Sequence, residues 1–176
     1  MSNFIVNSYN FVAAATPIVW TEISNVTIQG DNSIQINAWT GTHWVYGCAS
    51  TDTISVGDTV TYTASRTDIS LGINSDRTPA EGYNGNFTIL TQVPASGGGY
   101  EGGSFYSASG LGSNDIPNDT FAIKYVSESS GGIEYYKNDI KQFTSTLTPS
   151  GDYYVTIYLQ GLDGMTTSEW TASATK

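Results

Sequence analysis

Positive charge is scarce in this chain. Six Lys and Arg stand against 16 Asp and Glu, a formal net charge of −10 over 176 residues. Nucleic-acid binding needs cations placed on phosphates, so no nucleic acid is expected as a partner, and docking on an anionic membrane is disfavoured for the same reason. Cysteine and histidine occur once each, as Cys48 and His43. A single cysteine permits no internal disulfide, and its Tyr-Gly-Cys-Ala surroundings read as strand, so a buried, reduced and inert thiol is expected. His43 and Cys48 lie five residues apart and would share a strand face only across a bulge, so no nucleophile and base pair is expected of them. His43 reads instead as a structural imidazole between Thr42 and Trp44. No His, Cys, Asp and Glu cluster has zinc spacing, and Asp31, Asp52, Asp58, Asp76 and Asp163 sit singly in turns. No metal and no cofactor is therefore expected, which leaves open only a calcium site assembled from separate loops.

Long apolar runs are missing too. Nothing approaches the roughly 20 apolar residues that span a bilayer, so no membrane insertion is expected. Met1 to Pro17 has no basic start and is broken by Asn3, Asn7, Ser8 and Asn10, so it does not read as a secretory leader. Nor does any segment of ten or more residues repeat apolar side chains at i, i+3, i+4 and i+7, which excludes all but single turns of helix.

What the chain has in abundance is the material of strands and turns: 19 Gly, 12 Tyr, 6 Phe and 4 Trp, with Ser, Thr and Asn dominating the polar set. Two-residue alternation recurs in Val26-Thr27-Ile28, Ser33-Ile34-Gln35-Ile36-Asn37, Thr59 to Ala64, Asn86 to Leu90 and Thr120 to Val126, each a half-buried strand. Turn chemistry separates them at Gln29 to Asn32, Val56-Gly57-Asp58, Pro79 to Gly82, Ser129 to Gly132, Lys137-Asn138-Asp139 and Pro149 to Asp152. The expected architecture is one all-β domain, an antiparallel two-sheet sandwich. The glycine-rich stretch Ala95 to Gly103 lacks the Lys-Ser/Thr of a phosphate loop and reads as a flexible loop or a glycine-weakened edge. Residues 1–17 differ in kind, since Phe4, Ile5, Val6, Tyr9, Phe11 and Val12 are apolar and Pro17 ends the run. They are expected to form an arm that adds an edge strand or anchors the domain, residues 18–176, to a neighbouring subunit.

Asn118-Asp119-Thr120-Phe121-Ala122-Ile123-Lys124-Tyr125, a short loop, and Gly132-Ile133-Glu134-Tyr135-Tyr136-Lys137-Asn138-Asp139 form the most distinctive stretch. It resembles the paired strands of the concanavalin A-like lectin/glucanase superfamily, and Ile54 to Ala64 and Ile69 to Asn74 agree with it in order. The resemblance runs from Trp20 to Gln160. Asp139 stands where the family usually has Gly, but Asn-Asp tolerates the left-handed backbone that the hairpin demands. The Gly97 to Gly103 insertion is atypical. The resemblance implies a jelly roll, and the family holds sugar binders, glycosidases and structural modules alike.

Retaining glycosidases need two carboxylates about 5–5.5 Å apart. Glu134 is the acidic residue in mid-strand in the matching stretch, and Gly132 and Tyr136 flank it on its face, so no catalytic residue is expected. Sugars stack on aromatic rings with amides and backbone groups orienting the hydroxyls, which makes Trp39, Trp44, Tyr83, Asn84 and Asn86 the candidate glycan-binding residues. Core packing is the competing reading for Trp39 and Trp44. The function expected is a non-enzymatic structural or attachment module of an extracellular assembly. A phage decoration, fibre or tail-associated protein leads, made in the host cytoplasm and displayed on the virion surface. Its partners would be other virion subunits or further copies of itself through the arm, together with cell-surface glycan. A free lectin-like protein is the alternative, and a glycoside hydrolase comes after it.

Overall fold

A computed structural model describes residues 14–36, 46–65, 69–77, 86–91, 98–106, 111, 119–159 and 171–176. Fourteen strands and no helix occur among them. In chain order these are β1 (Trp20–Ser24), β2 (Val26–Ile28), β3 (Ile34–Ile36), β4 (Tyr46–Ile54), β5 (Thr59–Ala64), β6 (Ile69–Asn74) and β7 (Phe87–Thr91). There follow β8 (Gly98–Glu101), β9 (Ser104–Tyr106), β10 (Phe121–Tyr125), β11 (Ile133–Lys137), β12 (Ile140–Thr144), β13 (Tyr153–Leu159) and β14 (Thr171–Thr175). They build two seven-stranded sheets, the first in the order β1-β4-β13-β6-β7-β8-β9 and the second in the order β12-β11-β10-β5-β14-β3-β2. Every strand pairing is antiparallel.

The alternation in the sequence explains which side of each sheet faces inward. Ile69, Leu71, Ile73, Ile89, Val155 and Ile157 of the first sheet meet Ile34, Val60, Tyr62, Phe121, Ile123, Tyr125, Ile133 and Tyr135 of the second, all essentially inaccessible to solvent. Burying each such side chain contributes about 1.5–3 kcal/mol. Polar tips in this layer find partners: the Tyr62 hydroxyl donates across to the Gly72 carbonyl at 2.8 Å, and the Tyr125 hydroxyl to the Gly151 carbonyl at 3.0 Å. Tyr125 and Phe87 each present a ring to Tyr153 in an edge-on arrangement. Cys48 is free and fully buried among these residues, as its strand context implied, and burial pushes its thiol well above the usual range.

The hairpin joining β11 to β12 turns on Asn138 and Asp139 at φ of 50° and 62°, so both residues adopt the left-handed conformation and Asp139 replaces glycine there. A buried ion pair secures its base: Lys137 Nζ lies 2.7 Å from Asp119 Oδ2, and Asn138 Nδ2 donates to Asp119 Oδ1 at 2.7 Å.

Of the two readings of the glycine-rich stretch, loop or glycine-weakened edge, its described residues fit the second. Gly98 and Gly99 enter β8, and Gly102 and Gly103, at φ of 55° and 82°, turn the chain into the edge strand β9. In the second sheet, Thr16 exchanges two backbone hydrogen bonds with Lys176 and Ile18 donates to Ala174. The end of the expected arm is thus paired to β14 of its own chain; residues 1–13 lie outside the described residues.

Candidate functional site

The first sheet has an unusual outward face. With Ile69, Leu71 and Ile73 in the core, Ser70, Gly72 and Asn74 of β6 must point outward. The pairing puts Thr156, Gly72 and Thr88 in one cross-strand row, and Tyr154 beside Asn74 in the next. These outward polar residues are nevertheless shielded: Thr88 is 0%, Thr156 1% and Asn74 2% exposed. Shielded polar groups must be hydrogen-bonded or they cost stability. Asn74 meets that demand, its Nδ2 donating to Thr156 Oγ1 at 2.8 Å and its Oδ1 accepting from the Asn86 amide at 2.6 Å. The Thr88 hydroxyl has no partner among the described residues. Between Thr88 and Thr156 stands Gly72, where a β-carbon would come within 2.8 Å of Thr88 Oγ1 and 3.3 Å of Thr156 Oγ1. Glycine is therefore required there by close packing, because the two threonine side chains leave no room for a β-carbon between them.

Arg77 lies beside this buried polar cluster. Its guanidinium stacks 4.5 Å from the centre of the Tyr154 ring and donates from Nη2 to the Thr51 carbonyl at 2.8 Å. That carbonyl is available because β4 bulges opposite β13 between Ala49 and Thr53. The same bulge leaves the Val155 amide to be taken by the Ser50 hydroxyl at 2.9 Å. Arg77 Nε is shielded and has no acceptor among the described residues. One row further on, burial raises the Tyr158 phenol to about 12, with the charges of Cys48 and Asp76 adding to the effect.

Of the residues expected to bind glycan, Asn86 is described and stands at the foot of this face. Its Oδ1 accepts from the Ser75 amide at 2.7 Å and from the Ser75 hydroxyl at 2.9 Å. With the Asn74 contact it closes the neck of the connection between β6 and β7. Trp39, Trp44, Tyr83 and Asn84 lie outside the described residues, as does His43. Asn74, Arg77, Thr88 and Thr156 are singled out by no motif in the sequence. Only the β6 alternation hints at them, by placing Ser, Gly and Asn on one side.

Glu134 lies on the outer face of the second sheet. Its Oε2 accepts from the Tyr136 hydroxyl at 2.6 Å and its Oε1 pairs with Lys141 Nζ at 3.0 Å. Tyr136 first and Lys141 second hold its carboxyl below the ordinary value. Glu101 is a second strand acid, 1% exposed between the sheets, whose Oε1 accepts from the Tyr135 hydroxyl at 2.8 Å. A cavity of about 320 Å³ opens elsewhere, beside Pro17, Val19, Asp52, Ile54 and Lys176. Among the described residues no group of three or more potential metal ligands occurs.

No protein-family model matches the chain, and no curated protein sequence does. Solved structures do. The PSpry domain of TRIM65 superimposes with a TM-score of 0.65 at 11% identity, over 90% of this chain and 91% of that one. The carbohydrate recognition domain of Emp46p, in a single-site mutant form, gives 0.54 at 10% identity, over 89% and 86%. The neuralized NHR1 domain of Drosophila melanogaster gives 0.52 at 9% identity, over 89% and 96%. Likeness in shape over nearly the whole chain, together with two seven-stranded antiparallel sheets packed face to face, identifies the fold as an all-β sandwich of the jelly-roll kind.

Proposed function

We propose that the chain is a non-enzymatic attachment module that recognises glycan. The observation that carries this reading is the two-sheet architecture, alike in shape over 89% of this chain to a carbohydrate recognition domain, as an analogy of fold.

Binding without cleavage is favoured by the state of the acids. Glu134 has both oxygens occupied and is held ionised, which unfits it to donate a proton to a leaving group. Glu101 is sealed in the core, where no glycosidic bond reaches.

The assembly we propose is a virus particle, with the chain as a decoration, fibre or tail-associated subunit. The acidic, Ser/Thr/Asn/Gly-rich composition supports this, and the apolar residues 4–12 would supply contacts to a neighbouring subunit. Two experiments test the reading: a glycan array combined with a reducing-sugar assay, and mass spectrometry of purified particles. The expected result is binding to a defined glycan set, no sugar release, and the chain present in particles. Sugar release, or an array without any bound glycan, overturns the functional reading; absence from particles overturns the virion assignment.

A further inference from the structure

The outward face of the second sheet carries a depression of about 220 Å³, lined by Thr59, Thr61, Ala122, Lys124, Tyr136 and Asp139. Strand alternation puts it there. With Val60 and Tyr62, Phe121 and Ile123, and Ile133 and Tyr135 in the core, their neighbours on β5, β10 and β11 must point outward. The register sets Thr61, Ala122 and Tyr136 in one cross-strand row, and Thr59 beside Lys124 in the next. Ala122 has only a methyl group, so it forms the floor between taller side chains. Two strand spacings, roughly 9–10 Å, separate Thr61 from Tyr136, which leaves room for one sugar ring. Asp139 belongs to the hairpin beyond Tyr136, where its backbone is left-handed. The site is open to solvent: Thr59 and Asp139 are exposed and the other four residues half-buried.

The polar groups around that floor are uncommitted. Lys137, Lys141 and Lys176 each pair with a carboxylate, whereas Lys124 has no ion-pair partner among the described residues. Glu134 stands opposite Lys124, but Tyr136 and Lys141 already take its two oxygens. The Thr59 and Thr61 hydroxyls and the Asp139 carboxylate likewise enter no side-chain hydrogen bond among the described residues. Tyr136 is held in place by its hydroxyl, which donates to Glu134 at 2.6 Å, an anchor that an amide oxygen at position 134 would still supply. Lys124 and Asp139 lie on opposite sides of the Ala122–Tyr136 row, so a ligand of either charge is repelled by one of them. A neutral polyol suits both, because each hydroxyl donates to a carboxylate and accepts from an ammonium. Resting on the glycan reading above, we infer that this depression binds one neutral hexopyranose, which rests over Ala122 beside Tyr136. Asp139 accepts from its hydroxyls, while Lys124, Thr59 and Thr61 bond the others. The contact is additional to Asn86, which borders the first sheet.

Amide chemical-shift titration of the isotope-labelled protein with methyl β-glucoside, methyl β-galactoside and methyl α-mannoside tests this. At least one of the three should displace the signals of Thr59 to Thr61, Ala122 to Lys124 and Tyr136 to Asp139. The uronic acid and the 2-amino sugar of the same configuration should each bind more weakly than the neutral sugar. Ala122→Leu fills the floor and should weaken that sugar at least about tenfold. Asp139→Asn keeps a residue that tolerates the left-handed turn but removes the charge, and should weaken it about threefold or more. The shift map of the unmodified protein keeps the test open if a variant fails to fold. Shifts confined to other residues, undiminished binding by Ala122→Leu, or a charged sugar that binds as well as the neutral one overturns the inference while glycan recognition stands. No shift with any of the three sugars overturns it too, and a glycan array without any bound glycan then removes the reading on which it rests.

Discussion

Replacing Glu101 by Gln turns a carboxyl buried between the sheets into an amide of the same shape, and its effect should depend on pH in a definite direction. Burial raises the Glu101 carboxyl above its ordinary value; Ser145, the Tyr135 hydroxyl and the Thr146 amide oppose that rise without cancelling it. An acid whose folded value lies above its unfolded value is stable below the unfolded value. It loses stability as pH climbs between the two, because the unfolded chain releases its proton first. Within that window the loss runs at up to about 1.4 kcal/mol per pH unit, and above the folded value it levels off. Glu101→Gln removes the slope. Its stability relative to the unmodified protein should be lowest near pH 4 and should rise toward neutral pH. Asp31, Asp58 and Glu134 are all lowered and so slope the other way at acid pH, but they are common to both proteins and cancel in the difference. Tyr135→Phe removes the donor to Oε1 and should cost about 1–3 kcal/mol. Urea unfolding of the three proteins at unit steps from pH 4 to pH 8 supplies the measurement. A difference between the unmodified protein and Glu101→Gln that stays flat across that range would refute the reasoning.

Lys137→Ala should destabilise the domain by about 3 kcal/mol, since it strands Asp119 without its ion-pair partner in a buried site, and thermal unfolding will show whether it does. Cys48 should resist a thiol reagent in the native protein and react at once in denaturant, because its buried thiol is held in the neutral form; rapid native labelling counts against this. Asn86→Ala deprives the Ser75 amide and hydroxyl of their acceptor and should cost about 1 kcal/mol while weakening glycan binding, both read by unfolding and titration.

The strands are legible wherever side chains alternate in kind. Thr59 to Ala64 is β5 in full, and Thr120 to Val126 brackets β10, because each buries one face and exposes the other. The β11 to β12 turn is legible from Asn138 and Asp139, whose side chains tolerate positive φ. β8 is not: Gly98 and Gly99 carry no side chain to alternate, and the need for glycine at Gly98 is tertiary. A β-carbon on Gly98 would crowd the Tyr106 carbonyl and the Phe105 ring on the neighbouring strand. Misreading that strand also hides Glu101, which looks like a loop acid until the register sets it opposite Phe87. The buried row of Thr88, Gly72 and Thr156 escapes for a related reason. Thr88 and Thr156 are 68 residues apart in the numbering and meet only because β6 lies between β7 and β13. Arg77 likewise gains its place from the bulge in β4, which no local pattern announces.

Glycan recognition is tested most directly on a glycan array probed with the unmodified protein, Asn86→Ala and Glu134→Gln side by side, with circular dichroism confirming that the sheets persist. The unmodified protein should retain a defined glycan set, Asn86→Ala should bind it more weakly, and Glu134→Gln, on the second sheet, should keep it. An array without any bound glycan would contradict the account.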